Sequence, residues 1–294
     1  MVDAAVLEAA AVRCVGSSPT FRTKYKESVA LFFLLEKIMH WIVQNNLNFE
    51  EGIESLKKYL SLKGIPLTLV NLNKTTDLIY DLKGNVLSLE EKEPVIGFGS
   101  YKLSRLLKEQ GFYPASFLND NFSYDILKEN YSASNLLNGD ISIEKIKNLV
   151  LTEKPLFIRP LKDNKIFTGR VFKNEDFDIL KHQMSEDILE EYVILSEPKT
   201  IESEYRLFIV DKKVVSGSLY KLRNQVIWSD FIDPLVLPFA NEMITKWNPS
   251  IAYTLDIALI NNEPKIIEIN NINSAGLYKS DVTKIVDAIE ALNY

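Results

Sequence analysis

DIALINNEPKIIEIN (residues 256–270) holds two short runs rich in Ile and Leu, each interrupted by one acid, Asp256 and Glu268. Apolar runs of this length predict strands, and NNEP (261–264) between them predicts a hairpin connection. An unpaired carboxylate taken out of water is costly, so an acid inside such a strand needs a partner, a proton or a metal. An odd-length connection from Asn261 to Glu263 sets Asp256 opposite Glu268, with both side chains on one face. Glu268 and Asn270, two apart in one strand, share that face. Two carboxylates and an amide oxygen then form an oxygen-rich set suited to Mg²⁺. The competing reading pairs Asp256 or Glu268 with a buried Arg or Lys, the commoner fate of a single strand acid.

A metal that serves phosphates implies basic groups elsewhere. Arg159 in LFIRP (156–160) and Lys165 at the start of KIFTG (165–169) supply them: a guanidinium grips phosphate oxygens bidentately and an ammonium acts as a mobile point charge. Each also has a plain reading as an exposed strand charge. In EYRLFIV (204–210), Glu204 and Arg206 share one face by strand alternation, either as a structural ion pair or as part of a site. Tyr220, Lys221 and Arg223 read as a solvated strand end, with contact to a substrate as the alternative.

Around these motifs the chain falls into parts. WIVQNNL (41–47), EEGIESLKKYLSLKG (50–64) and IPLTLVNL (65–72) alternate strand, helix and strand, which predicts a small parallel α/β unit. PVIGFGS (94–100) and YKLSRLLKEQGF (101–112) extend it by a strand and a helix stopped at Gly111. Residues 119–140 are polar, aromatic and turn-rich, predicting connecting structure before a helix at ISIEKIKNLV (141–150). Beyond residue 150 the pattern becomes hairpin-like: PLFIRP and KIFTGRVF, then EEYVILS (190–196), then EYRLFIV and KVVSGSLY (213–220). The expected division is therefore an extension at 1–38, whose Ala- and Val-rich composition differs from the rest, an α/β domain at 39–150, and an α+β domain at 151–294.

Composition narrows the function classes. Of 294 residues, 46% are hydrophobic, enough for a buried core, and a net charge of -6 argues against general nucleic-acid or membrane-surface binding. One cysteine, Cys14, excludes an intramolecular disulfide, and two histidines leave little for a Cys/His zinc site, so a cytoplasmic setting is expected. Glu36, Lys37 and His40 interrupt the apolar run at 29–43 before it reaches the length of a bilayer span.

In order, KPLFIRPLKDNKIFTG, EYVILSEPKTIESEYRLFIVDKKVVSGSLY and YTLDIALINNEPKIIEINNINSAGLY resemble an ATP-grasp domain, specifically the clade named for one arginine and two lysines. WIVQNNLNFEEG, VIGFGSYKLSRLLKEQGFYPASFLNDNF and LLNGD resemble the region that precedes the domain in that clade, so the likeness runs from about Met39 to the C-terminus. The resemblance implies an ATP-grasp fold, two α+β lobes around the nucleotide, preceded by a small α/β domain. It implies Mg²⁺ at Asp256, Glu268 and Asn270, phosphate binding and catalysis by Arg159, Lys165 and Arg206, and a nucleotide site that includes Glu204. It also implies that the backbone of Tyr192, Val193, Ile194 and Leu195 meets adenine, with Ser196 or Glu197 near the ribose. The implied activity is an ADP-forming, ATP- and Mg²⁺-dependent ligase. It would join a carboxylate of a small molecule, peptide or protein to an amine through an acyl phosphate, which requires no side-chain nucleophile. The alternatives are a non-catalytic nucleotide-binding regulatory module and an ATP-grasp kinase.

Overall fold

Strand β1 (His40–Gln44) lies at the centre of the first sheet, and its alternation divides two cores. Trp41 and Val43 point into one cluster with Ile53, Leu56 and Leu60 of helix α1 (Glu51–Lys63). Ile42 points the other way, against Leu103, Leu106 and Leu107 of helix α2 (Tyr101–Glu109). A strand buried on both faces needs a continuous apolar run, which WIV supplies. The computed structural model describes residues 38–47, 51–73, 75–88, 94–118, 124–161, 166–223 and 225–292. The expected N-terminal extension lies outside the described residues save for Ile38, and Met39–Tyr294 packs as one unit.

The first sheet has the order β3-β2-β1-β4-β5, with β2 (Leu67–Leu72), β3 (Ile79–Asp81), β4 (Val95–Phe98) and β5 (Pro114–Ala115). β1 is parallel to both β2 and β4, and β4 to β5, as the strand, helix, strand pattern predicts. Gly111, with φ of +86°, follows α2 in the left-handed conformation that commonly ends a helix. The connecting stretch forms helix α3 (Tyr124–Asn130).

The second sheet has the order β6-β9-β7-β8: β6 (Ser142–Lys145), β7 (Leu156–Pro160), β8 (Arg170–Phe172) and β9 (Tyr192–Ser196). Helix α4 (Asn174–His182) buries Phe177 against Phe172 beneath it, and the single turn α5 (Glu186–Leu189) leads into β9. The helix expected at 141–150 is not formed. Ser142–Lys145 pairs with β9, Ser142 opposite Leu195 and Lys145 opposite Tyr192, and only Ile146–Asn148 turns, as a 3₁₀ segment. ISIEK alternates apolar and polar residues, and a free edge of β9 captured that period-two pattern. The boundary expected near residue 150 thus falls inside this sheet.

The third sheet, β12-β11-β10-β13-β14, is antiparallel: β10 (Ser203–Val210), β11 (Lys213–Leu222), β12 (Gln225–Ser229), β13 (Ala252–Ile260) and β14 (Glu263–Asn270). One face, with Tyr205, Leu207, Leu255, Ile257, Ile266 and Ile269, is covered by helix α6 (Val236–Lys246). On the other face Phe208, Val210 and Ala252 join the core of β1 and α1, together with Ile285, Val286 and Ile289 of helix α7 (Val282–Glu290). Asp281 caps α7 by accepting hydrogen bonds from the backbone N–H groups of Thr283 and Lys284. The rest of that face is polar.

The last residue of α7 ties the C-terminus to the first strand. Glu290 accepts from the Trp41 indole Nε1 at 2.6 Å and from the Met39 backbone N at 3.1 Å. Glu290→Ala leaves both donors without an acceptor and is expected to cost about 1–3 kcal/mol in denaturant unfolding; an unchanged midpoint would contradict this role.

Candidate active site

The β13–β14 hairpin turns on two residues. Asn261 and Asn262 have φ of +51° and +63°, and Ile260 pairs with Glu263. This is the tight two-residue turn that asparagine tolerates. The Glu202 carboxylate holds it, accepting from the backbone N–H groups of Asn261 (3.1 Å) and Asn262 (3.4 Å). The odd-length connection expected from sequence is absent, and uniform pairing from this turn would set Asp256 opposite Ile267. Instead the register shifts between Asp256 and Ile257, so that Asp256 faces Glu268 and Thr254 faces Asn270. A β-bulge in the strand, not the turn, brings the two acids together.

The bulge completes a rung across four strands: Ser218, Arg206, Asp256 and Glu268 are successive cross-strand neighbours. Arg206 grips Asp256 with two hydrogen bonds, Nε to Oδ1 at 2.9 Å and Nη2 to Oδ2 at 2.7 Å. Asp256 is 1% exposed and Arg206 9%. Burial, with smaller pushes from Glu268 and Glu204, outweighs the lowering by Arg206 and leaves the Asp256 carboxyl pushed up to about 6. The pairing of Asp256 with a buried arginine, weighed against a metal at the sequence level, is therefore present. The guanidinium lies 5.2 Å from the Tyr278 ring centroid and 5.7 Å from that of Tyr220, and the two rings stack at 5.2 Å. Its Nη1 makes no hydrogen bond to a described residue.

Glu204 shares this face with Arg206, as alternation predicts, yet the two do not pair. Glu204 accepts from the Tyr220 hydroxyl (2.8 Å) and from Lys221 Nζ (2.7 Å). Adjacent strand residues normally point to opposite faces. Here Glu204 faces Lys221 and Tyr205 faces Leu219, so Tyr220 is the extra residue of a second bulge and both neighbours reach one carboxylate. Tyr220 and Lys221 thus belong to the polar face rather than to a solvated strand end, whereas Arg223 is exposed in the β11–β12 turn. Alternation alone could not have found them, because a bulge leaves no mark in the residue pattern. Tyr278 had no assigned role; it ends the stretch NSAGLY (273–278), and its ring lies against the Arg206 guanidinium.

Among the described residues, three acids on this face, Glu204, Asp256 and Glu268, stand against two cations, Arg206 and Lys221. Glu268 pairs with neither cation; its Oε1 accepts from Asn270 Nδ2 at 2.8 Å. Glu268 Oε2 and Asn270 Oδ1 have no hydrogen-bond partner among the described residues. Hard oxygen donors, one excess charge and open lone pairs fit a Mg²⁺ ion. Asp256 adds only the lone pairs that Arg206 leaves.

The second sheet carries the remaining expected residues. Arg159 lies on β7 opposite Ile194, and its buried Nε has no partner among the described residues. A side chain at Gly169 would place Cβ 2.7 Å from the Arg159 Cβ, so a glycine is required where the two strands converge. Lys165 lies outside the described residues. β9 is flanked on both sides: Tyr192 to Leu195 pair with β6, and Val193 to Ser196 with β7. The Tyr192 carbonyl also accepts from Leu161 N at 3.0 Å. The backbone of Tyr192, Val193, Ile194 and Leu195, expected to meet adenine, thus lies within the ladder of this sheet. Ser196 donates to Asn138 Oδ1 at 3.2 Å, and Glu197 is the first residue beyond the ladder.

A comparison with protein-family profiles matches residues 137–288 to an ATP-grasp domain, family 2 of the clade named for one arginine and two lysines. The chain belongs to this ATP-grasp family. The ATP-grasp fold is also that of solved structures to which the chain is similar. A RimK domain protein ATP-grasp from Sphaerobacter thermophilus matches with a TM-score of 0.55 at 13% identity, over 84% of this chain and 98% of the other. D-alanine–D-alanine ligase from Bacillus anthracis, complexed with ATP, matches with a TM-score of 0.54 at 15% identity, over 85% and 91%. The ATP-grasp ligase PsnB, complexed with precursor peptide PsnA2 and AMPPNP, matches with a TM-score of 0.51 at 11% identity, over 87% and 97%. At these identities the likeness is one of fold. A comparison with curated protein sequences finds no match.

The ATP-grasp rung makes a direct energetic prediction. Arg206→Ala strands the buried Asp256 and is expected to cost about 3–5 kcal/mol in urea unfolding, whereas replacing both partners by apolar residues costs less than that single change. Additive losses would show that the pair is not coupled.

Proposed function

We propose that this ATP-grasp protein is an ATP- and Mg²⁺-dependent ligase that joins a carboxylate to an amine and releases ADP and phosphate. The observation that carries the reading is the rung of Arg206, Asp256 and Glu268 with Asn270 beside it. Glu268, Asn270 and the outer lone pairs of Asp256 would hold Mg²⁺, which neutralises charge on the triphosphate. Arg159 offers an unpaired buried donor to the phosphates, and Lys165 is the second basic group. The ribose lies by Ser196 and Glu197, and the backbone from Glu197 onward meets adenine, because the ladder stops there.

In the reaction, a carboxylate oxygen of the acceptor attacks the γ-phosphorus and the bond to the β-phosphate oxygen breaks, releasing ADP. The amine nitrogen then attacks the acyl carbon, phosphate leaves and the amine loses a proton. Arg206 Nη1, fixed by the two hydrogen bonds to Asp256, is a preorganised donor for an oxygen that gains charge in either step. Tyr220 and Tyr278 hold the guanidinium plane and keep water from its flank. Glu204, fixed by Tyr220 and Lys221, adds negative potential beside the nucleotide site. A peptide or protein carboxylate is a reasonable acceptor class, since PsnB shares the fold and its structure holds a precursor peptide. The single cysteine accords with action in the reducing cytoplasm. Among the described residues no helix is long and apolar enough to cross a membrane.

The test is calorimetric titration of ATP, with and without Mg²⁺, into the protein and into Glu268→Gln. The expected result is Mg²⁺-dependent binding weakened at least about tenfold in the variant, roughly 1.4 kcal/mol, with ADP released when a carboxylate and an amine are supplied. AMP and pyrophosphate as products, or binding indifferent to Mg²⁺, would overturn the proposal.

A further inference from the structure

We infer that Asn273 is a positioning residue that fixes the metal end of β14 against the first sheet, so that the α/β unit and the ATP-grasp site are energetically linked through one side chain. The inference rests on the site reading above. Its basis is a gap in the first sheet. β5 pairs with β4 at Pro114, opposite Val95, and Ala115, opposite Ile96, and then leaves, so the next groups on β4 lose their neighbour on that side. The amide of Asn273 fills the place. Its Nδ2 donates to the Gly97 carbonyl at 2.7 Å and its Oδ1 accepts from Phe117 N at 3.1 Å. Its own backbone carbonyl accepts from Gly99 N at 2.8 Å. A planar group with one donor and one acceptor stands in for the missing peptide unit, and Asn273 is 1% exposed.

Only a short link separates Asn273 from Asn270, and it carries no slack. Asn271 Oδ1 accepts from Asn273 N at 2.9 Å, and Ile272–Ser274 is a 3₁₀ turn with Ile272 buried in the core of β1 and α1. A displacement at the carboxyl end of β4 is therefore transmitted to Asn270 and Glu268 rather than absorbed. The same end of the sheet is held from its other side. Gln44 Oε1, at the end of β1, accepts from Ser100 N at 2.9 Å and from the Ser100 hydroxyl at 2.7 Å. Gln44, Gly97, Gly99, Ser100 and Phe117 thus form the seat on which the last turn of the site rests.

Two measurements test this. The first uses the intact protein: amide exchange at Gly99 and Phe117, the two backbone donors to Asn273, is expected to slow at least about threefold when Mg²⁺ and ATP bind, and not when ATP is added with EDTA, because linkage is reciprocal. Unchanged exchange at both amides under saturating Mg²⁺ and ATP overturns the inference whether or not any variant folds. The second measures the ratio of ATP affinities with and without Mg²⁺ in Asn273→Ala and in Asn273→Asp, the latter keeping the acceptor for Phe117 N and losing the donor to Gly97. The ratio is expected to fall about tenfold in Asn273→Ala and less in Asn273→Asp. A lower melting temperature with the wild-type ratio would make Asn273 merely structural and overturn the role. Failure of the wild type itself to bind ATP in a Mg²⁺-dependent way would instead remove the site reading, and the role with it.

Discussion

A carboxylate 1% exposed in the middle of a sheet survives because Arg206 meets both of its oxygens, and the rest of the site is arranged around that pair. Two charges in a poorly hydrated place gain little net stability from each other, since desolvation offsets most of the attraction. What the pair supplies is direction. Arg206 cannot rotate without abandoning Asp256, so the N–H donors that Asp256 does not use are held in a fixed orientation. Asp256 in turn stays beside Glu268; burial, with Glu268 adding to it, raises the Asp256 carboxyl, and among the described residues only Asn270 hydrogen-bonds Glu268. The surface is thus half-neutralised: Asp256 is held by Arg206, while Glu268 keeps one oxygen without a partner among the described residues.

Strand geometry by itself would not produce this arrangement. Alternation places Glu204 with Arg206 and Glu268 with Asn270, but the register between strands decides which of them meet. Two bulges set that register, one between Asp256 and Ile257 and one between Glu204 and Tyr205. The first brings Glu268 opposite Asp256, and the second brings Tyr220 and Lys221 to a single carboxylate. The opposite face of the same strands is continuous Leu and Ile under α6, which keeps the sheet in register by burial. Polar chemistry on one face is affordable because the other is a packed core.

Much of this was legible in the residues. The parallel unit followed from WIV, a helix with Ile53, Leu56 and Leu60 on one face, and a second apolar strand. Asp256, Glu268 and Asn270 could be grouped from spacing alone, although the hairpin turn was shorter than expected and the bulge made up the difference. ISIEKIKNLV was ambiguous, since Ile141 and Ile143 fit a strand while Ile143, Ile146 and Val150 fit a helix; a vacant edge of β9 decided it, and that edge is a tertiary fact. The identity of the partner of Asp256 was equally hidden, because Arg206 lies 50 residues away and meets it only through the β10–β13 register. The same holds for β9, whose strand was legible in EEYVILS while its pairing with the two strands that flank it was not.

The central claim is that Arg206 and a metal divide one acidic rung between them. A crystal structure with Mg²⁺ and a non-hydrolysable ATP analogue tests it most directly. The account predicts Mg²⁺ about 2.0–2.1 Å from oxygens of Glu268 and Asn270, with Arg206 still bound to Asp256 through Nε and Nη2. A nucleotide bound with its metal away from Glu268, or an Arg206 that has left Asp256, would contradict it.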